Sequence, residues 1–397
     1  MGGRMKNSAN RTLFDSERSA CPDKKKPTGQ FFMITPWWLL GLIVWLVWVV
    51  GYQGIQAKSA GQLELIHADL SRGTVVNGRP LRFLEGHVHI RQDSLELFCQ
   101  RATYDEQAHQ IILEGEVLLI RGTDSLRAQH LTYFEISQIA IAEKNVELRR
   151  PNQFMQCDYL EYHYQTDRVL AQRHLWLNDA SNRVFITGRK GEYLPEKEYA
   201  YIRHQAHLWR LDSTATDTLH IFARELLYRF GERKSALARD SVNIRQGELT
   251  ATCDSAVYLV REDVVRLMGN PHALYRNNEM FGKTMELVLD SLEVRQVRIL
   301  GDALAISIAD SVEKKENRLA GKQIVMYISQ RQLQEIRAIN QASSQYYLEE
   351  NGETRGVNVA SADTIRAFFT EGELDSIAVM GGAEGTYYPE NYQGEIR

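Results

Sequence analysis

Cysteine is scarce in this chain, and its few copies lie far apart. The 397 residues include four cysteines, with no Cys-x-x-Cys pair and no nearby histidine at the spacing of metal ligands: Cys21, Cys99, Cys157 and Cys253. Zinc sites and disulfide-rich scaffolds both need closely spaced cysteines. We therefore expect no metal site, no cofactor and no disulfide framework, so packing and strand pairing must hold the structure together.

The chain also has no large excess of positive or negative charge. The 47 Lys and Arg residues nearly balance the 51 Asp and Glu residues, and no long run of one sign occurs outside the N-terminus. Proteins that bind nucleic acid attract its phosphates with a basic face. The composition therefore argues against a nucleic-acid partner, while 44% hydrophobic and 25% charged residues are typical of an ordinary folded protein.

The usual catalytic fingerprints are absent as well. The sequence contains no GxSxG, HExxH, P-loop or Rossmann motif. The rival enzyme class is the right-handed β-helix protein that cleaves polysaccharides, which is also built from stacked repeats. Its chemistry needs clustered acidic or basic residues on adjacent rungs, and no such cluster occurs here. We therefore predict a protein that is not an enzyme.

One long hydrophobic run is present, near the N-terminus. Residues 31–52 are almost uninterrupted in their apolar character, and a helix needs about 20 such residues to cross a bilayer. Basic residues outnumber acidic ones before this run, which favours a cytoplasmic N-terminus and export of everything that follows. The sequence thus predicts a disordered basic tail at 1–30, a transmembrane helix at 31–52 and a linker at 53–61.

A cleaved signal peptide is the alternative for the same run. Small residues follow it at Ala57, Ser59 and Ala60, where a signal peptidase can act. The apolar run is longer than the core of a typical signal peptide, about 7–15 residues, which favours a retained anchor. Both interpretations export the chain from about residue 60 onward.

A repeat is the main signal in the remaining sequence. One spacing occurs nine times: apolar, any, small, any, any, apolar, any, then an aromatic or large apolar residue. Successive copies lie 29 to 41 residues apart, and the last copy is weaker and ends in Ala367. A second recurring piece, Leu-Glu-Gly-x-Val, begins at Leu84 and Leu113. The small residues of the nine copies are Cys99, Ala128, Cys157, Gly188, Ala223, Cys253, Gly282, Gly321 and Ala362.

The repeat has the alternation of β-strands and a break in that alternation. Apolar residues alternate with polar ones, as at Val88/Ile90 and Val242/Ile244, which indicates strands with one buried face. The step from the small residue to the next apolar residue is three, so the buried face changes parity once per unit, as at a bulge or corner. A small side chain suits a sharply bent backbone.

Each unit holds about two bent strands, too few to bury a hydrophobic face alone, so the units must stack. The sequence therefore predicts an all-β fold: an elongated, antiparallel folded sheet of about ten units over residues 62–390. A short tail follows at 391–397. We expect helix to be scarce beyond the N-terminal transmembrane segment.

These units resemble the OstA-like, LptA-type family of lipopolysaccharide transport proteins. The resemblance is carried by the Leu-Glu-Gly-x-Val openings at Leu84 and Leu113 and by the small-residue corners such as Cys99 and Ala128. It covers residues 62–390, and the N-terminal span is similar to that of LptC. The resemblance implies a β-jellyroll or taco-like folded sheet, in the periplasm of a Gram-negative-type bacterium, whose apolar interior holds acyl chains.

The resemblance also implies the partners. They are lipopolysaccharide or lipooligosaccharide, other Lpt-type β-domains joined by edge-strand pairing, and the inner membrane, which the N-terminal helix would contact. If that helix is cleaved as a signal, the β-domain is soluble in the periplasm. The expected function is to bind the acyl chains of the lipid and pass it toward the outer membrane. The alternative is a surface protein with a structural or adhesive role.

Two facing sheets that are open along one side form an apolar trough, which suits a lipid carrier independently of the resemblance. We interpret the tyrosines that end the first six copies, from Tyr104 to Tyr258, as a structural ladder rather than lipid contacts. Seventeen apolar residues form the predicted lining set: Val88, Ile90, Leu97, Ala102, Val117, Leu126, Leu131, Met155, Leu160, Ile186, Ile221, Leu226, Val242, Ile244, Ala256, Met285 and Ile324.

Overall fold

The computed structural model describes residues 63–212, 218–310, 315–350 and 353–394. The chain divides into two units, residues 1–59 and 60–397, and only the second contains described residues. The tail, transmembrane helix and linker predicted at 1–61 lie outside the described residues. Within the described ranges, no helix is long and apolar enough to cross a membrane.

The second unit is built almost entirely of strands, as predicted. In its described part, helix is limited to one 3₁₀ turn at Pro195–Lys197. The strands are β1 (Glu64–His67), β2 (Leu70–Val76), β3 (Arg79–Gln92), β4 (Leu95–Asp105), β5 (Gln110–Arg121), β6 (Asp124–Phe134), β7 (Ile139–Arg150), β8 (Gln153–His163), β9 (Arg168–Asp179), β10 (Val184–Leu194), β11 (Tyr199–Leu211), β12 (Thr218–Arg229), β13 (Ser235–Gln246), β14 (Leu249–Leu259), β15 (Val264–Met268), β16 (His272–Tyr275), β17 (Asn278–Phe281), β18 (Thr284–Asp290), β19 (Glu293–Asp310), β20 (Lys315–Ser329), β21 (Gln332–Glu350), β22 (Glu353–Thr370), β23 (Glu373–Met380) and β24 (Glu384–Pro389).

All 24 strands belong to one sheet, and each pairs antiparallel with its neighbours. Long strands follow one another as hairpins from β3 to β14 and again from β19 to β22. Where two short strands replace a long one, both pair with the same long neighbour, as β1 and β2 do with β3. Each strand crossing the sheet therefore has two halves, and the parallel coils of a β-helix are absent from the described residues.

The two halves of each crossing meet at a bend. Between β3 and β4 the pairing shifts register after Glu85, and the intervening Gly86 and His87 both have positive φ, 73° and 45°. We call the half of the sheet that contains Glu85 arm A, the half that contains Val88 arm B, and the line of bends the crease. Paired residues with positive φ mark the crease at ten places: 86/87, 115/116, 144/145, 173/174, 204/205, 240/241, 269/270, 301/302, 340/341 and 381/382.

The strands between these pairs bend at the small residue of the repeat, which confirms the predicted corner. A side chain larger than glycine at position 188 would collide with the core, because its Cβ would lie 2.3 Å from Cγ2 of Ile202. Cys99, Cys157 and Cys253 are buried and form no disulfide. Burial raises the pKa of the Cys99 and Cys157 thiols to about 12, so both remain protonated packing groups at neutral pH.

The inner faces of the two arms pack against each other. Side chains alternate between buried and exposed along both halves of a strand such as β6, in which Leu126 and Leu131 are fully buried. Burying one such leucine stabilises the fold by about 1.5–3 kcal/mol. The buried side chains of the stacked strands form one hydrophobic cluster that runs from Leu84 to Ile365.

Side-chain hydrogen bonds join the free ends of the two arms on the side opposite the crease, which we call the mouth. Tyr133 of arm A donates to Oε1 of Gln92 of arm B at 2.7 Å, and Tyr228 donates to Oδ2 of the buried Asp179 at 2.8 Å. We call this row of bonds the clasp. Six of its bridges use a tyrosine hydroxyl, and these tyrosine bridges join Tyr133 to Gln92, Tyr162 to Arg150, Tyr193 to Gln153, Tyr228 to Asp179, Tyr258 to Arg210, and Tyr275 to the backbone carbonyl of Arg331.

Arg150 of the Tyr162 bridge also contacts two carboxylates. Its Nη2 lies 2.7 Å from Oδ1 of Asp167 on arm A and 3.0 Å from Oδ2 of Asp124 on its own arm. Burial would raise the pKa of Asp167, but hydrogen bonds from Arg150 and Tyr162 outweigh burial and lower it. Asp167 therefore stays ionised, and the guanidinium group meets a negative charge across the mouth.

The crease predicts opposite effects for two glycine substitutions. Lys144→Gly should raise the free energy of unfolding by about 1 kcal/mol, because Lys144 has φ of 64°, which strains an L side chain. Gly269→Ala should lower it by at least about 1 kcal/mol, because φ there is 77° and the new Cβ would lie 2.6 Å from Cβ of Asp254. Urea unfolding followed by circular dichroism measures both, and a stabilising Gly269→Ala would contradict this account of the bend.

The clasp predicts that single hydroxyl groups at the mouth hold the arms together. Tyr228→Phe should lower the free energy of unfolding by about 1.5–3 kcal/mol, because it removes a donor from the buried carboxylate of Asp179. The matched control is Tyr104→Phe, whose hydroxyl donates to Glu135 within arm A and should matter by about 1 kcal/mol or less. Equal losses of unfolding free energy in the same denaturation assay would show that a hydrogen bond between the arms stabilises the fold no more than one within an arm.

Candidate functional site

The predicted lining set lies together inside the folded sheet. All seventeen residues belong to the single hydrophobic cluster, and none has more than 5% of its surface exposed. They come from both arms and are buried, so in this conformation side chains fill the interior along most of the sheet. That these residues contact lipid stays a prediction.

The interior opens toward solvent near the C-terminal end of the sheet. A cleft of about 260 Å³ separates the arms there. Arm B supplies residues from β19, β20 and β21, and arm A supplies residues from β21, β22 and β23. The apolar lining residues are Ala305, Ile306, Ile308, Leu319, Leu333, Ile336, Ile365, Ala367, Phe369, Leu374 and Ile377.

The bottom of this cleft continues into the hydrophobic cluster. Ile336 and Ile365 are buried members of the cluster, whereas Phe369 and Ile377 pack against it but remain partly exposed. Ile308, at the outer end of arm B, has 64% of its surface exposed. An apolar surface therefore extends without a break from solvent into the core.

Polar and basic side chains surround the cleft. Asn278, Asn317 and Gln345 lie on the arm B side together with Arg276 and Arg318. No aspartate or glutamate is among the residues that line the cleft. An amphiphile with an anionic headgroup suits this arrangement, because its chain meets apolar side chains and its charge meets guanidinium groups.

Both arginines at the rim also have acidic partners outside the cleft. Nε of Arg276 lies 2.5 Å from Oε2 of Glu248, and its Nη2 donates to the backbone carbonyl of Arg331 at 2.8 Å. Nη2 of Arg318 donates to Oε2 of Glu316 at 2.9 Å. These bonds fix the guanidinium groups at the rim, and each group retains further N–H donors for a ligand.

The cleft residues were absent from the predicted lining set, although the sequence carries a signal for them. The aromatic position of the repeat is tyrosine in the first six copies but Leu287, Met326 and Ala367 in the last three. The same copies have the longest intervals, because β19, β21 and β22 are 18 or 19 residues long where most strands before β15 have 11 or 12. Missing hydroxyls and longer strands together mark the section in which the cleft opens.

The titratable groups of the described residues do not form an activated chemical site. Burial raises the pKa of Cys99, Cys157 and Cys253, the opposite of what a thiolate nucleophile requires. His207 has its pKa lowered to about 4, by burial first and then by the neighbouring His220. In the described ranges, no group of three or more His, Cys, Asp or Glu residues is arranged to hold a metal ion.

Comparison with known proteins finds a matching family model and similar solved structures. Residues 61–218 match the family model for OstA-like proteins. No protein among those with curated descriptions matches the chain. A similar solved structure is that of LptH from Pseudomonas aeruginosa, the LptA-homologous periplasmic component of the conserved lipopolysaccharide transport device. It is 15% identical, and the alignment covers 36% of this chain and 95% of LptH with a TM-score of 0.28.

The family match falls on the most regular part of the sheet. It contains the corners at Gly86 and Gly115 with their Leu-Glu-Gly-x-Val sequences, and it runs from β1 through β11. These are the features on which the resemblance in the sequence depended. Through residues 61–218, the chain is therefore similar to the family of OstA-like proteins.

Proposed function

We propose that this chain is a non-catalytic carrier of lipopolysaccharide or lipooligosaccharide, which holds the acyl chains between the two arms and passes the lipid toward the outer membrane. The match of residues 61–218 to the family model for OstA-like proteins supports this function. The β-domain would then lie in the periplasm of a Gram-negative-type envelope. The inner-membrane anchor at 31–52 remains a prediction.

The observation that carries the proposal is the continuous apolar interior between the two arms. One hydrophobic cluster runs through the whole folded sheet, and it reaches solvent at the cleft. Burying an acyl chain of about twelve methylenes contributes roughly 10 kcal/mol relative to water. Opening the six tyrosine bridges of the clasp costs about 1 kcal/mol for each neutral pair and about 1.5–3 kcal/mol where one partner is charged. The two quantities are similar in size, so the lipid itself can supply the free energy that separates the arms.

Both ends of the sheet offer a place for a neighbouring protein. Among the described residues, β1 and β2 pair only with β3, and β23 and β24 pair only with β22. The first edge also exposes apolar side chains, including Leu70, Val75 and Val76. Exposed edges accept a further strand through backbone hydrogen bonds. We propose that other Lpt-type β-domains join this chain in that way.

The filled interior favours a second candidate, a structural or adhesive surface protein. The predicted lining set is at most 5% exposed, as expected for a core that serves only to stabilise the sheet. Depletion in living cells separates the two functions. A carrier should leave lipopolysaccharide behind at the inner membrane when it is depleted, whereas an adhesive protein should alter attachment and leave the envelope unchanged.

Site-specific photo-crosslinking in cells tests the carrier directly. A photoreactive amino acid at Leu131, Leu160 or Leu226 should form crosslinks to lipopolysaccharide, because these side chains point between the arms. The same amino acid at Glu96 or Arg127, on the outer face, should form few or none. Equal labelling of both sets, or labelling of neither, would reject lipid transport through the interior. Circular dichroism of each variant confirms that the sheet is retained.

A further inference from the structure

The clasp and the cleft occupy different sections of the same mouth. The six tyrosine bridges lie between Gln92 and Arg331, and five of them use a tyrosine from the aromatic position of the repeat. The last three copies have Leu287, Met326 and Ala367 at that position, and none of these side chains can donate a hydrogen bond. The cleft opens where the tyrosines are missing, and Ala367 is one of its lining residues.

The final bridges mark the boundary between the two sections. Tyr275 and Arg276 both donate to the carbonyl of Arg331, which holds arm B to a turn of arm A. Arg276 also lines the cleft, and a Cβ on Gly372 of the opposite arm would lie 3.8 Å from its Nη1. Arg276 therefore belongs both to the end of the clasped section and to the rim of the open one.

We propose that the cleft between β19 and β23 is the port through which acyl chains enter and leave the interior sideways. The clasped section would be closed to lateral exchange, so that lipid reaches it only along the inside of the folded sheet. This inference rests on the proposed carrier function, and it adds the place and direction of loading. The occupant is a lipid with an anionic headgroup, which remains outside beside Arg276 and Arg318.

The energetic difference between the two sections supports this assignment. A chain that enters through the clasp must first break a bridge such as Tyr228 to Asp179, which leaves a buried carboxylate short of a donor. A chain that enters the cleft meets Phe369 and Ile377, which are already partly exposed and lose only contact with water. Loading at the cleft therefore avoids the barrier that the clasp presents.

Blocking the cleft after folding tests the port without disturbing assembly of the sheet. Ala367→Cys in a Cys21→Ser background provides a thiol in the cleft, while Cys99, Cys157 and Cys253 are buried. The folded full-length chain is reacted with a bulky maleimide. Its affinity for cis-parinaric acid, a fluorescent fatty acid with a carboxylate headgroup, is then measured. Excluding even about two methylenes should weaken binding by roughly tenfold.

The matched control places the same group on the outside of the same arm. Ala378 lies on β23 next to the inward-facing Ile377 and Val379, so its side chain points to the opposite face. Maleimide on Ala378→Cys should leave the affinity for parinaric acid within about twofold of the unlabelled protein.

Substitution of the two arginines tests the role of the rim. The double variant Arg276→Gln, Arg318→Gln should weaken binding of parinaric acid more than binding of its methyl ester, because only the acid carries a negative charge.

The outcomes separate the port from the carrier function. If parinaric acid binds but blocking position 367 has no effect, or if the thiol there fails to react, the port is wrong while transport through the interior can still hold. If the unmodified protein binds no parinaric acid and gives no lipid crosslinks in cells, the carrier function itself fails. Loss of binding from the labelled Ala378→Cys variant as well would also overturn the port, because the effect would not be specific to the cleft.

Discussion

Each strand crossing of this sheet must bend without losing its backbone hydrogen bonds, and the rest of the structure depends on that constraint. An unpaired buried N–H or C=O group is costly, so the pairing has to resume at once beyond the crease. Two consecutive residues with positive φ on one strand, opposite the single residue that follows the small residue on the next, allow this. Because the bend recurs at one line, the two apolar faces lie opposite each other for the length of the sheet.

Much of this fold could be predicted from the sequence because its causes are local. The three-residue step after Cys99 predicts that the buried face of the strand changes there. The glycine of Leu-Glu-Gly predicts the bend of the neighbouring strand at Gly86. Non-glycine pairs such as Lys144 and Asn145 carry the same conformation without that signal. There the position of the bend follows only from the neighbouring strands, which tertiary pairing aligns.

The hydrogen bonds across the mouth could not be predicted from the sequence, because they join residues that are distant along the chain. Nothing near Tyr228 in the sequence identifies Asp179 as its partner, since the bond depends on how far one arm is displaced along the other. The sequence does indicate the cleft, because the aromatic position of the repeat is no longer tyrosine after Tyr258. The missing hydroxyl predicts an opening only when it is known that the tyrosines join the two arms.

The displacement of the arms gives the clasp a collective character. Tyr228 on β12 reaches Asp179 at the end of β9, and Arg210 on β11 reaches Tyr258 on β14, so these bridges skip over the strands between. In stacked arrays each repeat normally senses only its immediate neighbours. Here five of the six tyrosine bridges join residues at least 40 positions apart, and only the Tyr162–Arg150 bridge joins adjacent strands. Loosening one repeat must therefore strain those on either side, and separation of the arms should spread as a cooperative front rather than as isolated local openings.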